Sequence, residues 1–262
     1  MVFFILPNHI GKSHSIFLSL GHIFFFFFCF SSRTDYTFYW EIAELHCSHP
    51  HESNLDTVKH VRIGSKHASI THGNYFPNAR ELTLKYHFST LDGHPAITLN
   101  HILPIQQLTK LNIDFFDFPF ERIVDLIRFT PHLHTLKIHL LSISEKSMQS
   151  LQTNPIFREV SSNNRIKHVE IGYRCSFEQI QMLVTLFFHI EYFKIGMKRK
   201  ELRCILRYLL SKTPSRPPDL FFLCISQIAK VCFSEVNLVL RLEGLLDDYA
   251  IKFIRRDLYL WW

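Results

Sequence analysis

The chain has 262 residues, 47% of them hydrophobic and 20% charged, with a formal net charge of +6. That length and balance describe a globular protein with a sizeable core, and exclude disordered, fibrous and collagen-like classes. Eight glycines are too few for a protein organised on Gly-rich phosphate loops, and a mild basic excess permits an acidic partner without demanding one.

Residues 15–30 are almost wholly apolar and contain the run Phe24–Phe28, followed by Cys29 and Phe30. Three readings fit this stretch. A secretory signal has a basic start, an apolar centre and a small-residue cleavage site; Lys12 is the early charge, and Ser31 and Ser32 are the cleavage candidates. A membrane anchor needs about 20 apolar residues, and this run is shorter, with His22 inside it. The third reading is a pyrimidine-rich tract translated in frame, which yields Phe, Ser, Leu and Pro. Residues 1–33 are therefore set apart from the rest of the chain.

Residues 34–57 are expected to form an N-terminal cap. Asp35–Pro50 is amphipathic and would cover the first strand of a repeat array. Its tail, His46-Cys47-Ser48-His49-Pro50-His51, is the densest group of metal-ligand types in the chain. Structural zinc takes four ligands, usually from two separated pairs, and no second pair is present. A polar loop is the reading, with neither metal nor cofactor expected. The six cysteines are thinly spread with no close pair, and are read as reduced and mostly buried.

From residue 58 one phrase recurs six times: apolar, two free positions, apolar, one free position, apolar. Its copies begin at Val58, Ala79, Leu108, Leu133, Ile166 and Ile190. Counted from the fourth position, the copies stand 21, 29, 25, 33 and 24 residues apart, a step that accommodates one strand and a return helix. Val58–Gly64 reads VKHVRIG and Ile166–Gly172 reads IKHVEIG, a likeness that extends beyond the apolar frame.

The return segments carry helical period. Phe120, Ile123, Val124 and Ile127 form one stripe; Phe177, Ile180, Leu183, Val184, Phe187 and Phe188 form another; Leu202, Ile205, Leu206 and Leu209 form a third. Ser142–Glu145 and Ser176–Gln179 read as capping boxes. Phe76-Pro77, Leu103-Pro104 and Thr130-Pro131 end the return segments before the next strand, because proline has no amide proton to continue a helix.

These elements predict an α/β leucine-rich-repeat-like solenoid over residues 58–212, with a parallel sheet on its concave face. Fourth and sixth positions would point into the core: Val61, Leu82, Leu111, Leu136, Val169 and Phe193, with Ile63, Leu84, Ile113, Ile138, Ile171 and Ile195. The third, fifth and seventh would line the concave face. Arg62, Lys85, Lys110, Asp114, Lys137, His139, Glu170, Tyr192 and Lys194 are the candidate contacts there for a protein partner. The alternative is that they are solvated side chains on a sheet face that must be polar.

Residues 213–219, rich in proline, read as a linker. Residues 220–262 are expected to form a C-terminal cap: a strand over Leu220–Cys224, a helix within Ser226–Leu246 with Ile228, Cys232, Val236 and Val239 as its stripe, and a hairpin sealing the last strand edge. Lys194, Lys198, Arg199, Lys200, Arg203 and Arg207 form a basic run. Nucleic-acid binding is one reading of it, and a solvated helix face the plainer one, since no aromatic platform is interleaved.

The repeated strands, the joins FPNARELTL, LPIQQLTKLNI and FTPHLHTLKI, and the ending LLDDYAIKFIRRDLYLWW together resemble a large group of invertebrate F-box proteins with leucine-rich-like repeats. The resemblance runs from about Val58 to Trp262 and is most specific in the final eighteen residues. Members of that group carry an F-box that opens Leu-Pro-Asn-Glu-Ile and binds the adaptor of a cullin-type ubiquitin ligase. Leu6-Pro7-Asn8-His9-Ile10 matches that opening except at His9, and Phe17-Leu18-Ser19 falls where the family has its next apolar anchor. The resemblance implies a substrate-recognition subunit, with Leu6, Pro7, Ile10 and Leu18 touching the adaptor and an intracellular location, cytoplasmic or nuclear. A secreted or membrane-tethered repeat protein, using residues 15–30, is the alternative.

No Gly-x-Ser-x-Gly elbow, Gly-x-x-x-x-Gly-Lys loop, His-Glu-x-x-His or Cys-x-x-Cys occurs, so a non-enzymatic role is expected.

Overall fold

The computed structural model describes residues 15–19, 24–28, 35–38, 55–64, 75–85, 94–116, 118–211 and 216–262. Leu6, Pro7, Ile10, the His46–His51 group and most of the expected N-terminal cap lie outside the described residues. Strands β1 (Ser15–Ser19) and β2 (Phe24–Phe28) form a separate antiparallel pair with Leu18 opposite Phe25, an extended state that aromatic residues favour. Among the described residues no helix is long and apolar enough to cross a membrane.

Among the described residues every later strand joins one ten-stranded sheet. β3 (Asp35–Phe38), β4 (His60–Ile63), β5 (Glu81–Lys85), β6 (Lys110–Asp114), β7 (Thr135–Ile138), β8 (His168–Cys175), β9 (Tyr192–Met197) and β10 (Phe222–Ser226) lie in chain order. Each is parallel to the next. A hairpin completes the sheet: β12 (Asp257–Trp261) runs antiparallel to β10, and β11 (Ala250–Ile254) lies outside β12. Strands β4 to β9 are the six repeated phrases, and β3 and β10 extend the parallel run at both ends.

The register follows the apolar frame. Val61, Leu82, Leu111, Leu136, Val169, Phe193 and Leu223 form one row across the sheet, and all are at most 1% exposed. The sixth-position residues, Ile63 to Ile195, are buried with them. Each such side chain contributes about 1.5–3 kcal/mol when fully removed from water.

The joins repeat as well. The second-position carbonyl of each phrase accepts two amides from the next: Lys59 from Arg80 and Glu81, Arg80 from Thr109 and Lys110, Thr109 from His134 and Thr135. His134, Lys167 and Glu191 continue the pattern, the last to Phe221 and Phe222, with N–O distances of 2.8–3.2 Å throughout. Side chains add further stitches. Gln107 donates to the Ala79 carbonyl, Ser161 to Thr185, and Asn164 to Leu186.

From β5 to β11 helices lie between successive strands: α1 (Pro95–Asn100), α2 (Phe120–Arg128), α3 (Glu145–Thr153), α4 (Pro155–Asn163), α5 (Phe177–Leu186), α6 (Leu202–Leu210) and α7 (Val231–Glu243). They pack in succession, α1 on α2, α2 on α4, α4 on α5, α5 on α6 and α6 on α7. The buried stripes of α2, α5 and α6 contain Ile123, Val124, Ile127, Ile180, Leu183, Leu202 and Ile205 as the spacing predicts, although Phe188 lies beyond α5 and is 38% exposed. Two helices, α3 and α4, occupy the longest repeat step. The box at Ser176 is complete, with Ser176 and Gln179 each bonding the other's backbone amide.

The structure departs from the spacing in three places. The helix expected from Ser142 starts later: Ser144 is the N-cap and accepts from the Ser147 amide, because Ser142 is bridged to Pro119 in extended geometry. The C-terminal strand spans Phe222–Ser226, where it registers with β9. Helix α7 starts only at Val231, so Ile228 precedes it, and its inward stripe is Cys232, Val236 and Leu240. Val239 is only partly buried. Gly244, with φ of 55°, ends α7 in the left-handed conformation glycine tolerates.

Candidate functional site

Alternation buries one side of strands β4 to β9 and turns the other side outward. The nine candidate contacts share this outer face: Arg62 on β4, Lys85 on β5, Lys110 and Asp114 on β6, Lys137 on β7 with His139 just beyond its end, Glu170 on β8, and Tyr192 and Lys194 on β9. Two rows cross it. One contains His60, Glu81, Lys110, Thr135, His168, Tyr192, Phe222 and Trp261; the other contains Arg62, Thr83, Asn112, Lys137, Glu170, Lys194, Cys224 and Tyr259. Lys85 registers with Asp114 in a shorter third row, which His139 continues beside Asp114.

Most charges on this face are paired between neighbouring strands. Arg62 bonds Asp35 at 3.3 Å, Lys110 bonds Glu81 at 2.9 Å, Lys137 bonds Glu170 at 2.8 Å, and Lys194 bonds Asp257 at 3.0 Å. His139 stands 3.6 Å from Asp114 and edge-on to Phe116. His60 lies 3.5 Å from Asp35 and bonds the Thr83 hydroxyl at 2.8 Å. Burial and the Arg62 charge hold the His60 imidazole below its ordinary pKa, against the pull of Asp35 and Glu81. Burial alone would lower the Lys194 ammonium, but its hydrogen bond to Asp257 raises it overall. Each exposed pair contributes about 0–1 kcal/mol, so these contacts set strand alignment and local neutrality more than stability.

Beyond β7 the first row becomes aromatic. His168 stacks on Tyr192 at 5.7 Å, Tyr192 on Phe222 at 5.0 Å, and Phe222 on Trp261 at 6.1 Å. Tyr259 meets Phe222 edge-on. Ring pairs of this kind contribute about 0.5–1.5 kcal/mol beyond area burial. Burial pushes the Tyr192 hydroxyl well above its ordinary pKa, with Glu170 adding to it. Beside this row, Cys224 is fully buried and burial pushes its thiol up to about 12, which leaves it protonated and unreactive at neutral pH. Cys175 and Cys232 are buried too, while Cys204 is exposed.

Comparison of the chain with protein-family models, curated proteins and solved structures finds no match. The chemistry of the site must therefore come from its own residues.

β8 contains an irregularity between Glu170 and Arg174. Tyr173 lies within that stretch and is 51% exposed, while on the opposite side the regular β7 register continues past Ile138 and Ile171 and sets Gly172 so close to His139 that a β-carbon would lie 2.9 Å from its oxygen. Bulges commonly re-aim a side chain where a sheet meets a ligand.

The basic run is largely engaged. Arg199 pairs with Glu235 of α7, and Arg203 and Arg207 share Glu243 at 2.8 and 2.5 Å. These guanidiniums fasten α6 and its preceding turn to α7. Among the described residues no group of three His, Cys, Asp or Glu could hold a metal ion.

Spacing alone leaves Phe222, Tyr259 and Trp261 out of the site, because from sequence the last hairpin reads as a cap. The alternation in DLYLWW is the available signal: Asp257, Tyr259 and Trp261 share one face of a strand. Tyr192 and His168 already mark the start of the row.

Proposed function

We propose that the chain is a leucine-rich-repeat-like solenoid that acts as a non-enzymatic protein-interaction scaffold. By its resemblance to invertebrate F-box proteins, it serves as the substrate-recognition subunit of a cullin-type ubiquitin ligase. The observation that supports the scaffold is the forked carbonyl at all six joins, from Lys59 to Glu191. One backbone device repeated at each step makes the outward positions a single extended surface, and solenoids bind partners on such surfaces. In this reading the outer face is the concave one, and the partner spans the charged residues Arg62 to Glu170 and the aromatic row from His168 to Trp261.

Co-expression with the ligase adaptor tests the ligase assignment. A stoichiometric complex is expected on gel filtration, lost on Leu6→Ala or Pro7→Ala; a folded full chain that elutes without the adaptor rejects it. Substrate capture tests the scaffold separately. Tyr192→Ala and Phe222→Ala should release the captured protein while the circular dichroism spectrum is retained, and unchanged capture by both variants rejects this face.

A further inference from the structure

We propose that the outer edge of β11 accepts an extended, acidic segment of a protein partner as an added strand. This rests on the scaffold reading and deepens it, because it gives the partner a chemistry. β11 is the last strand on its side of the sheet, and no strand among the described residues pairs with its outer edge. The turn joining β11 to β12 is two residues long, Arg255 and Arg256. A two-residue turn makes its flanking pair, Ile254 and Asp257, a hydrogen-bonded one. Antiparallel alternation then points the backbone groups of Ala250 and Lys252 toward β12 and those of Ile251 and Phe253 away from it. An edge of this kind is a template for another strand.

The edge discriminates between occupants. Lys252 is exposed at the centre of β11, and Arg255 and Arg256 are exposed beside it. A second copy pairing symmetrically about Lys252 would set that lysine against its own equivalent, which like charges directly opposite disfavour. The charge that guards the edge against self-pairing attracts a carboxylate from another chain. Trp261 adds a second determinant. It stacks on Phe222 at an interplanar angle of 10°, is in register with Ala250 on its other side, and is 38% exposed. A methyl group covers little of an indole face, so a partner ring lying over Ala250 continues the row of stacked rings. Ile254, 43% exposed, takes an apolar neighbour. In antiparallel order the segment therefore places an apolar residue by Ile254, an acid by Lys252 and an aromatic by Ala250.

The probe is the fluorescein-labelled, C-terminally amidated peptide Val-Thr-Glu-Val-Tyr, titrated against the full chain by fluorescence anisotropy. It is expected to bind roughly tenfold tighter than its Lys-for-Glu analogue. K252E should invert that order without changing the melting temperature. N-methylation of the peptide at the edge-facing amides should abolish binding, and amide exchange at Ile251 and Phe253 should slow when the peptide is bound. Equal binding of the two peptides, undiminished binding of the N-methylated one, no binding up to about 1 mM, or a dimer abolished by K252E overturns the proposal. If the peptide is ignored while Tyr192→Ala still releases a captured protein, the edge site fails and the scaffold reading stands. If Tyr192→Ala and Phe222→Ala release nothing, the scaffold reading fails independently.

Discussion

A β-carbon built on Gly172 would lie 2.9 Å from the His139 carbonyl oxygen and 3.4 Å from its α-carbon, so any side chain there must push two strands apart. Gly196 is similarly tight, 3.0 Å from the Tyr173 oxygen. Gly244 differs: nothing lies within 4 Å of its added β-carbon, and its φ of 55° is the constraint. Gly172→Ala is expected to destabilise by about 1–3 kcal/mol, through the strain of overpacking. A urea titration checks this, as a lower midpoint at unchanged slope. An unchanged midpoint would mean that β7 and β8 separate at little cost. The glycine is visible in the sequence as the shared end of VKHVRIG and IKHVEIG. Its reason is not, because the close approach is set by the β7–β8 register, which places Gly172 beside His139 one step past the Ile138–Ile171 pair, a pairing of segments far apart in the chain.

Element boundaries are legible where one local signal acts alone. The box at Ser176 needs only the short span from Ser176 to Gln179, and it forms as the spacing predicts. At Ser142 two signals compete: a hydroxyl placed to cap a helix, and a backbone bridged to Pro119 across the neighbouring repeat. The bridge moves the cap to Ser144. Helix α7 shows the same limit, since its inward stripe, Cys232, Val236 and Leu240, depends on how the helix rolls against α6, and Val239 is an equally apolar choice. The caps give a sharp contrast. Ser176→Ala and Ser144→Ala should each cost about 0.5–2 kcal/mol, whereas Ser142→Ala should fall within about 0.5 kcal/mol of the parent. Thermal unfolding of the three variants measures it, and a larger loss at Ser142 than at Ser144 would contradict the observed helix start.

At the scale of the molecule, strands β3 to β10 pair in chain order, and the helices pack in the same succession. This order is legible because every repeat carries the same alternation, so the register of one strand implies that of the next. The aromatic row is not, because it depends on β12 lying against β10 with β11 outside it, an inversion of chain order made by the last turn. A linear arrangement has a consequence for how damage spreads. Leu258 is fully buried, registers with Ile225 on one side and Phe253 on the other, and its truncation to alanine should cost about 2–5 kcal/mol. Where contacts run between neighbours, that loss lowers the free energy of opening the adjoining strands first. Native-state hydrogen exchange of Leu258→Ala should therefore accelerate amides of β10, β11 and β12 strongly, and those of β5 to β7 little. Uniform acceleration across the sheet would show that the ten strands open as one cooperative unit, and that the repeats lack the independence on which a modular binding surface depends.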